Sequence, residues 1–158
     1  MNKLFQKLVL LVLLGVCSAF LSAYRDNFSL KSIPQGESQN LTELGRLKEA
    51  FDNQQSNIQV KQSGRVAKIL GDDNHGPKHQ RFVVELDSGQ KILIAHNTDL
   101  APRVEGLKAG GMISFYGEYE WNNKGGVVHW THHDPKGRHI NGWLLYNNHK
   151  YDWLHVDR

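Results

Sequence analysis

Apolar residues are spaced in three ways along this chain, and each spacing predicts a different element. From Leu8 to Val16 they run almost unbroken, behind Lys3 and Lys7 and ahead of Ser18, Ala19, Ser22 and Ala23, the layout of an export signal. Cleavage after Ala19 or Ala23 would release the remainder. Retention as an anchor is the alternative, because Leu8 to Leu21 falls only slightly short of a membrane span. Tyr24 to Gln39 is polar, contains Pro34 and Gly36, and reads as a tether. Leu41, Leu44, Leu47 and Phe51 then recur at helical spacing behind Asn40 and Glu43, a pair with capping-box spacing, which predicts a short amphipathic helix. Gly45 weakens that helix by up to about 1 kcal/mol relative to alanine, so it needs to dock on the main body.

From Ile58 the period becomes two. Ile58 to Leu70 is a first strand, with Gly64 as a bulge or bend, broken by Gly71-Asp72-Asp73-Asn74-His75-Gly76-Pro77. Phe82, Val84 and Leu86 alternate with Val83, Glu85 and Asp87, Asp87-Ser88-Gly89 turns, and Lys91 to His96 returns as a hairpin partner. Asn97 to Leu107, with Pro102, is a loop or short helix. Met112 to Trp121 is a long strand with Ile113, Phe115, Tyr119 and Trp121 on one face, and Val127 to Thr131 comes back after Asn122-Asn123-Lys124-Gly125-Gly126. Three strands, a connection and two more strands follow the order of a small OB-like Greek-key barrel, with an open β-sandwich as the rival. Gly142 to Tyr146 adds an extra strand before a tail with Tyr151 and Trp153. The organisation expected is a leader over 1–23, a tether and helix over 24–56, and a mainly β barrel with a C-terminal extension over 57–158.

Composition is that of a globular chain of 158 residues, 39% hydrophobic and 22% charged, enough for one modest core. Taking Lys3 and Lys7 from the 19 basic residues leaves 17 against 16 acidic, so the exported part is nearly neutral and carries no broad footprint for nucleic acid. Cys17 is the one cysteine and lies in the leader, where Val16 is a poor predecessor for a lipidation site. The remainder has no thiolate, so any metal falls to His, Asp and Glu. Localisation is expected to be periplasmic or secreted, with membrane contact only through a retained leader.

Residues 129–143 hold four of the nine histidines and two of the four tryptophans, in His129-Trp130-Thr131-His132-His133-Asp134-Pro135, His139 and Trp143. Imidazole titrates near neutrality and ligates metals, so this run marks a site for proton transfer, metal or anion. A turn through His132 to Gly137 would fold these residues over the end of the strand bearing His129.

The chain resembles a family of small exported bacterial proteins known as a domain of unknown function. The resemblance rests on His79-Gln80-Arg81-Phe82, Ala95-His96-Asn97, Asp99-Leu100-Ala101-Pro102-Arg103, Gly117-Glu118-Tyr119-Glu120-Trp121-Asn122 and the His129 to Pro135 block, and spans roughly Ile58 to Tyr151. Gly110-Gly111 departs from the Gly-Asp expected before such a strand. The likeness implies a fold and a site but no activity.

Two function classes follow. One is a binding module for an anionic or carbohydrate ligand, with Arg103, Asn97, Glu118, Trp121, Trp130 and Trp143 as contacts. The other is a hydrolase of a phosphodiester or other anionic polymer, with His79, Arg81, His129, His133 and Asp134 as catalytic candidates. His79, His96, His129 and His133, helped by Asp134 or Glu118, are the candidate ligands of a zinc, manganese, nickel or iron ion. Binding is the reading preferred. Arg103 pairing with Asp99, Asp134 starting a turn, and a solvated His139 are the plain structural alternatives at those positions.

Overall fold

Period-two burial carries the architecture. The computed structural model describes residues 35–153, in which helix α1 (Gln35–Asp52) precedes strands β1 (Ile58–Ile69), β2 (His79–Leu86), β3 (Lys91–Asn97), β4 (Met112–Glu120), β5 (Val127–His129), β6 (Trp143–Tyr146) and β7 (His149–Tyr151). The leader and residues 24–34 of the expected tether lie outside the described residues. Along β2, β3 and β4 every second side chain is buried, as expected of a sheet with one face on a core.

Strands pair in the order β1-β2-β3-β5-β4, and β1 also pairs with β4, so the five close into a barrel. All neighbours are antiparallel except β3 and β5, which run parallel with Ile94 beside Val128. This is the expected OB-like Greek key, and closure leaves the five barrel strands without an open edge. Phe82, Val84, Ile92, Ile94, Ile113, Phe115, Tyr119 and Val128 fill the interior, and Leu47 and Ala50 of α1 join the same core.

Several boundaries differ from those expected. Helix α1 begins at Gln35, so it takes in residues assigned to the tether; no proline interrupts the run after Pro34, and docking of Leu47 and Ala50 supports the extra turns. Phe51 is half-buried, while the side chains of Leu41 and Leu44 lie outside the described residues. The bulge in β1 falls between Val66 and Lys68, not at Gly64. Gly64 instead sits where β1 pairs with both β2 and β4, and a Cβ there would meet the Glu85 carbonyl oxygen at 2.6 Å. Asn97 to Leu107 contains turns and no helix. β5 stops at His129 instead of Thr131, and the tail forms β7, unforeseen, joined to β6 through Asn147 and Asn148 at φ 50° and 60°.

One edge of β4 is divided. Its C-terminal end pairs with β5 (Glu118 beside His129), and its N-terminal end pairs with β6 (Phe115 beside Leu144). The chain must therefore leave β4 after His129 and return at Trp143, looping out between. Gly117 stands at the divergence, and a Cβ there would lie 2.5 Å from the His129 carbonyl oxygen and 2.8 Å from Thr131. Because the nearest obstacle is backbone, Gly117→Ala is expected to lower the unfolding free energy by about 1–3 kcal/mol, measured by denaturant unfolding; an unchanged midpoint would show that the divergence tolerates a side chain.

Candidate functional site

Strand alternation splits the histidines between two faces. With Ile94 and Val128 both inward, their neighbours in register separate: His96 of β3 points into the barrel and His129 of β5 points out. His96 is fully buried. The Pro102 carbonyl can only accept, so Nε2–H donates to it at 3.1 Å, and Nδ1 accepts from the Thr131 hydroxyl at 2.8 Å. Burial disfavours the imidazolium and holds the pKa of His96 down to about 4, with His132 and His79 adding repulsion against the Pro102 bond. A neutral ring with both nitrogens engaged is a structural element of the barrel end, not a ligand.

The expected quartet of His79, His96, His129 and His133 is therefore not gathered. His133 packs edge-on against Trp153, 4.3 Å between ring centres, and its backbone N–H donates to the Asp152 carbonyl. His79 is half-buried at the start of β2, opposite Asn97, near enough to oppose the charging of His96, His129 and His132.

A different set converges on the outer face. β4 places Glu118 and Glu120 on its outer side, with the buried Tyr119 between, and β5 sets His129 directly opposite Glu118. Nε2 of His129 lies 3.9 Å from Glu118 Oε1 and 4.0 Å from Glu120 Oε1. Among the described residues, these three form the group of His, Cys, Asp and Glu whose ligand atoms all fall within 4.8 Å of one another. Nε2 of His129 is buried and has no hydrogen-bond partner in the protein, although the ring as a whole is about one-third exposed. Burial lowers the pKa of His129 and the two carboxylates push the other way; the net displacement is downward, so a neutral ring is favoured at pH 7.

The loop from Trp130 to Asn141 covers this face. Trp130 has φ 52°, a left-handed backbone costly for a bulky residue, which turns the chain sharply after His129. Its indole stacks on the His139 ring at 3.6 Å and 12°. His139 Nδ1 in turn donates to Glu118 Oε2 at 3.2 Å, since a carboxylate can only accept. Asp134 ties the loop down: Oδ1 accepts the Lys136 N–H, and Oδ2 accepts those of Arg138 and His139 at 2.7 and 2.9 Å. These N–H groups hold its pKa down to about 2 against the cost of burial. Its oxygens serve the backbone, so Asp134 is an organiser of the loop.

The remaining candidates are dispersed. Arg81 donates Nε–H to the Gly71 carbonyl and lies 3.8 Å from Asp73; Arg103 pairs with Asp72, where Asp99 was anticipated. Asn97 Oδ1 accepts the Asp99 N–H in a local turn. Trp121 packs on the core, Trp143 lies beside Tyr116 with Lys61 5.8 Å from its ring, and Trp130 sits with His139, so the tryptophans form no common platform. Glu120 and His139 were missed as members of one site. Glu-Tyr-Glu alternation on a strand signalled the first; nothing local signalled the second.

This geometry defines the class: a small OB-like barrel bearing a carboxylate–imidazole cluster on its outer face beneath a tethered loop. The chain belongs to the family described as Protein of unknown function (DUF3465), which matches residues 32–152. A comparison with curated proteins finds no match.

Titration of the buried ring makes stability pH-dependent. In the unfolded chain His96 takes up a proton near pH 6.5, whereas the folded protein resists until about 4. Stability is therefore full above about pH 7 and falls as pH drops from 6.5 toward 4, by on the order of 3 kcal/mol at most. The Asp134 carboxylate contributes in a separate window, below its ordinary value of 3.8 and toward 2. Urea unfolding across pH 4 to 8 should show this slope reduced in His96→Gln; an equal slope in both proteins would assign it elsewhere.

Proposed function

We propose that the chain is an exported binding module that takes a divalent transition cation at Glu118, Glu120 and His129. One observation carries this reading: a buried, partnerless imidazole nitrogen facing two carboxylate oxygens at 3.9 and 4.0 Å. That separation is too long for a hydrogen bond, whichever proton state His129 adopts. It suits an ion between the atoms. Metal bonds of about 2.0–2.2 Å to nitrogen and oxygen need each carboxylate oxygen only about 0.5–1 Å closer to Nε2, within reach of small side-chain rotations.

The donor set selects the ion class. One imidazole and two carboxylates without thiolate suit zinc, manganese, iron or nickel, and three protein donors leave further coordination positions open. Two carboxylates beside a neutral imidazole make this spot hospitable to a cation and hostile to an anion. Binding is favoured over hydrolysis of an anionic polymer because Arg81 and Arg103, the groups that would stabilise developing negative charge, are engaged with Asp73 and Asp72. Export rests on the leader, with its Lys3, Lys7 and apolar Leu8 to Val16.

Protein purified without a histidine tag is expected to bind one equivalent of Zn²⁺ or Mn²⁺ by isothermal titration calorimetry. Glu118→Gln, Glu120→Gln and His129→Ala should each weaken binding by at least about tenfold, and Arg138→Ala should not. Stoichiometric binding that survives removal of all three ligands, or no binding by the parent, would refute the site. For the leader, amino-terminal sequencing of protein from the cell envelope should begin at Phe20 or Tyr24. An intact Met1 in cytoplasmic protein would refute export.

A further inference from the structure

Glu118 faces two imidazoles, and the second has a job that the cation site leaves open. Oε1 is directed to His129, while Oε2 accepts the Nδ1–H of His139 at 3.2 Å. The geometry points to His139 as a positioning residue for the cation site, a deepening that rests on the reading of Glu118, Glu120 and His129 as ligands. By engaging Oε2 it orients the carboxylate, so that Oε1 remains turned toward His129 and Glu120. A carboxylate with free rotation would sample other orientations and present that oxygen only part of the time.

Three contacts hold the His139 ring for this purpose. The Trp130 indole lies flat against it at 3.6 Å, the His139 backbone N–H donates to Asp134 Oδ2 at 2.9 Å, and Glu118 takes the His139 Nδ1–H. Trp130 makes that stack from a left-handed backbone, φ 52°. The strained Trp130, the loop-organising Asp134 and the stacked imidazole act together on one oxygen of Glu118. Such outer partners of ligating groups commonly contribute 10- to 100-fold in metal affinity.

The assignment specifies a proton position, which makes it testable apart from the cation site. Nδ1 must carry the hydrogen; an asparagine side-chain amide supplies an N–H near the place of Nδ1, and alanine supplies none. Zn²⁺ affinity is therefore expected to drop about 10- to 100-fold in His139→Ala and to recover to within a few-fold of the parent in His139→Asn, with both variants checked for folding by circular dichroism. Equal losses in the two variants, or none in either, overturn the positioning role while loss of binding in His129→Ala still upholds the cation site. If the parent binds no Zn²⁺, both ideas fall. Because a folding defect could blur the alanine variant, ¹⁵N spectra of the unsubstituted, metal-free protein at about pH 8.5, where an ordinary imidazole is neutral, give a second reading. The Nδ1–H tautomer of His139 is expected, and the Nε2–H tautomer overturns the assignment.

Discussion

Along β4 both edges are hydrogen-bonded, and this constraint generates most of what is distinctive about the molecule. One edge pairs with β1 from Met112 to Tyr119 and closes the barrel. The other edge serves two partners in succession, β6 over Ile113–Tyr116 and β5 over Glu118–Glu120. A strand edge can hold one partner at each position, so the chain between β5 and β6 has to leave the sheet and come back to the same edge. The looped segment brings His139 to the outer side, where alternation has already placed Glu118, Glu120 and His129. Edge sharing thus brings a loop from the next segment of chain over a cluster built by the strands.

The same departure separates two chemical environments for histidine. Before the turn, His129 looks outward and meets carboxylates; after it, Thr131 and His132 return inward, where His132 is buried and Thr131 holds His96. Interior rings are neutral because burial disfavours their cations, and they use their nitrogens to satisfy hydroxyl and carbonyl groups of the barrel end. Outer rings keep nitrogen atoms facing acids. One residue with left-handed backbone, Trp130, separates the ring that faces carboxylates from those that pack inside.

Strand content was legible because the interior demands a period of two: Phe82, Val84, Ile113, Phe115 and Tyr119 were read as core from alternation and are buried. The OB-like strand order followed from their number and spacing. What alternation within one strand cannot supply is the register between strands. Whether His96 and His129 share a face depends on Ile94 lying beside Val128, a parallel pairing across thirty-odd residues of chain, and the expected histidine quartet dissolved on that point. His139 was read as solvated because its contact with Glu118 exists only once Asp134 has shaped the loop. The Asn147–Asn148 turn, by contrast, used a local signal: asparagine tolerates the left-handed backbone that a two-residue hairpin requires.

How the loop is held bears on how a ligand would be met. Between β5 and β6 the backbone is fastened by three N–H groups on Asp134, by Asn141 on the Asp134 N–H, by Asp152 on the His133 N–H, and by the His132 carbonyl on Gly142. A segment tied at so many points has already lost most of its conformational freedom in folding, at about 1–2 kcal/mol per residue of backbone, and that entropy is not charged again when a ligand binds. At the proposed cation site, preorganisation of this kind would leave only the side chains of Glu118, Glu120 and His129 to adjust. The 3.6 Å stack of Trp130 on His139, set on the left-handed backbone of Trp130, is part of this same fastened segment.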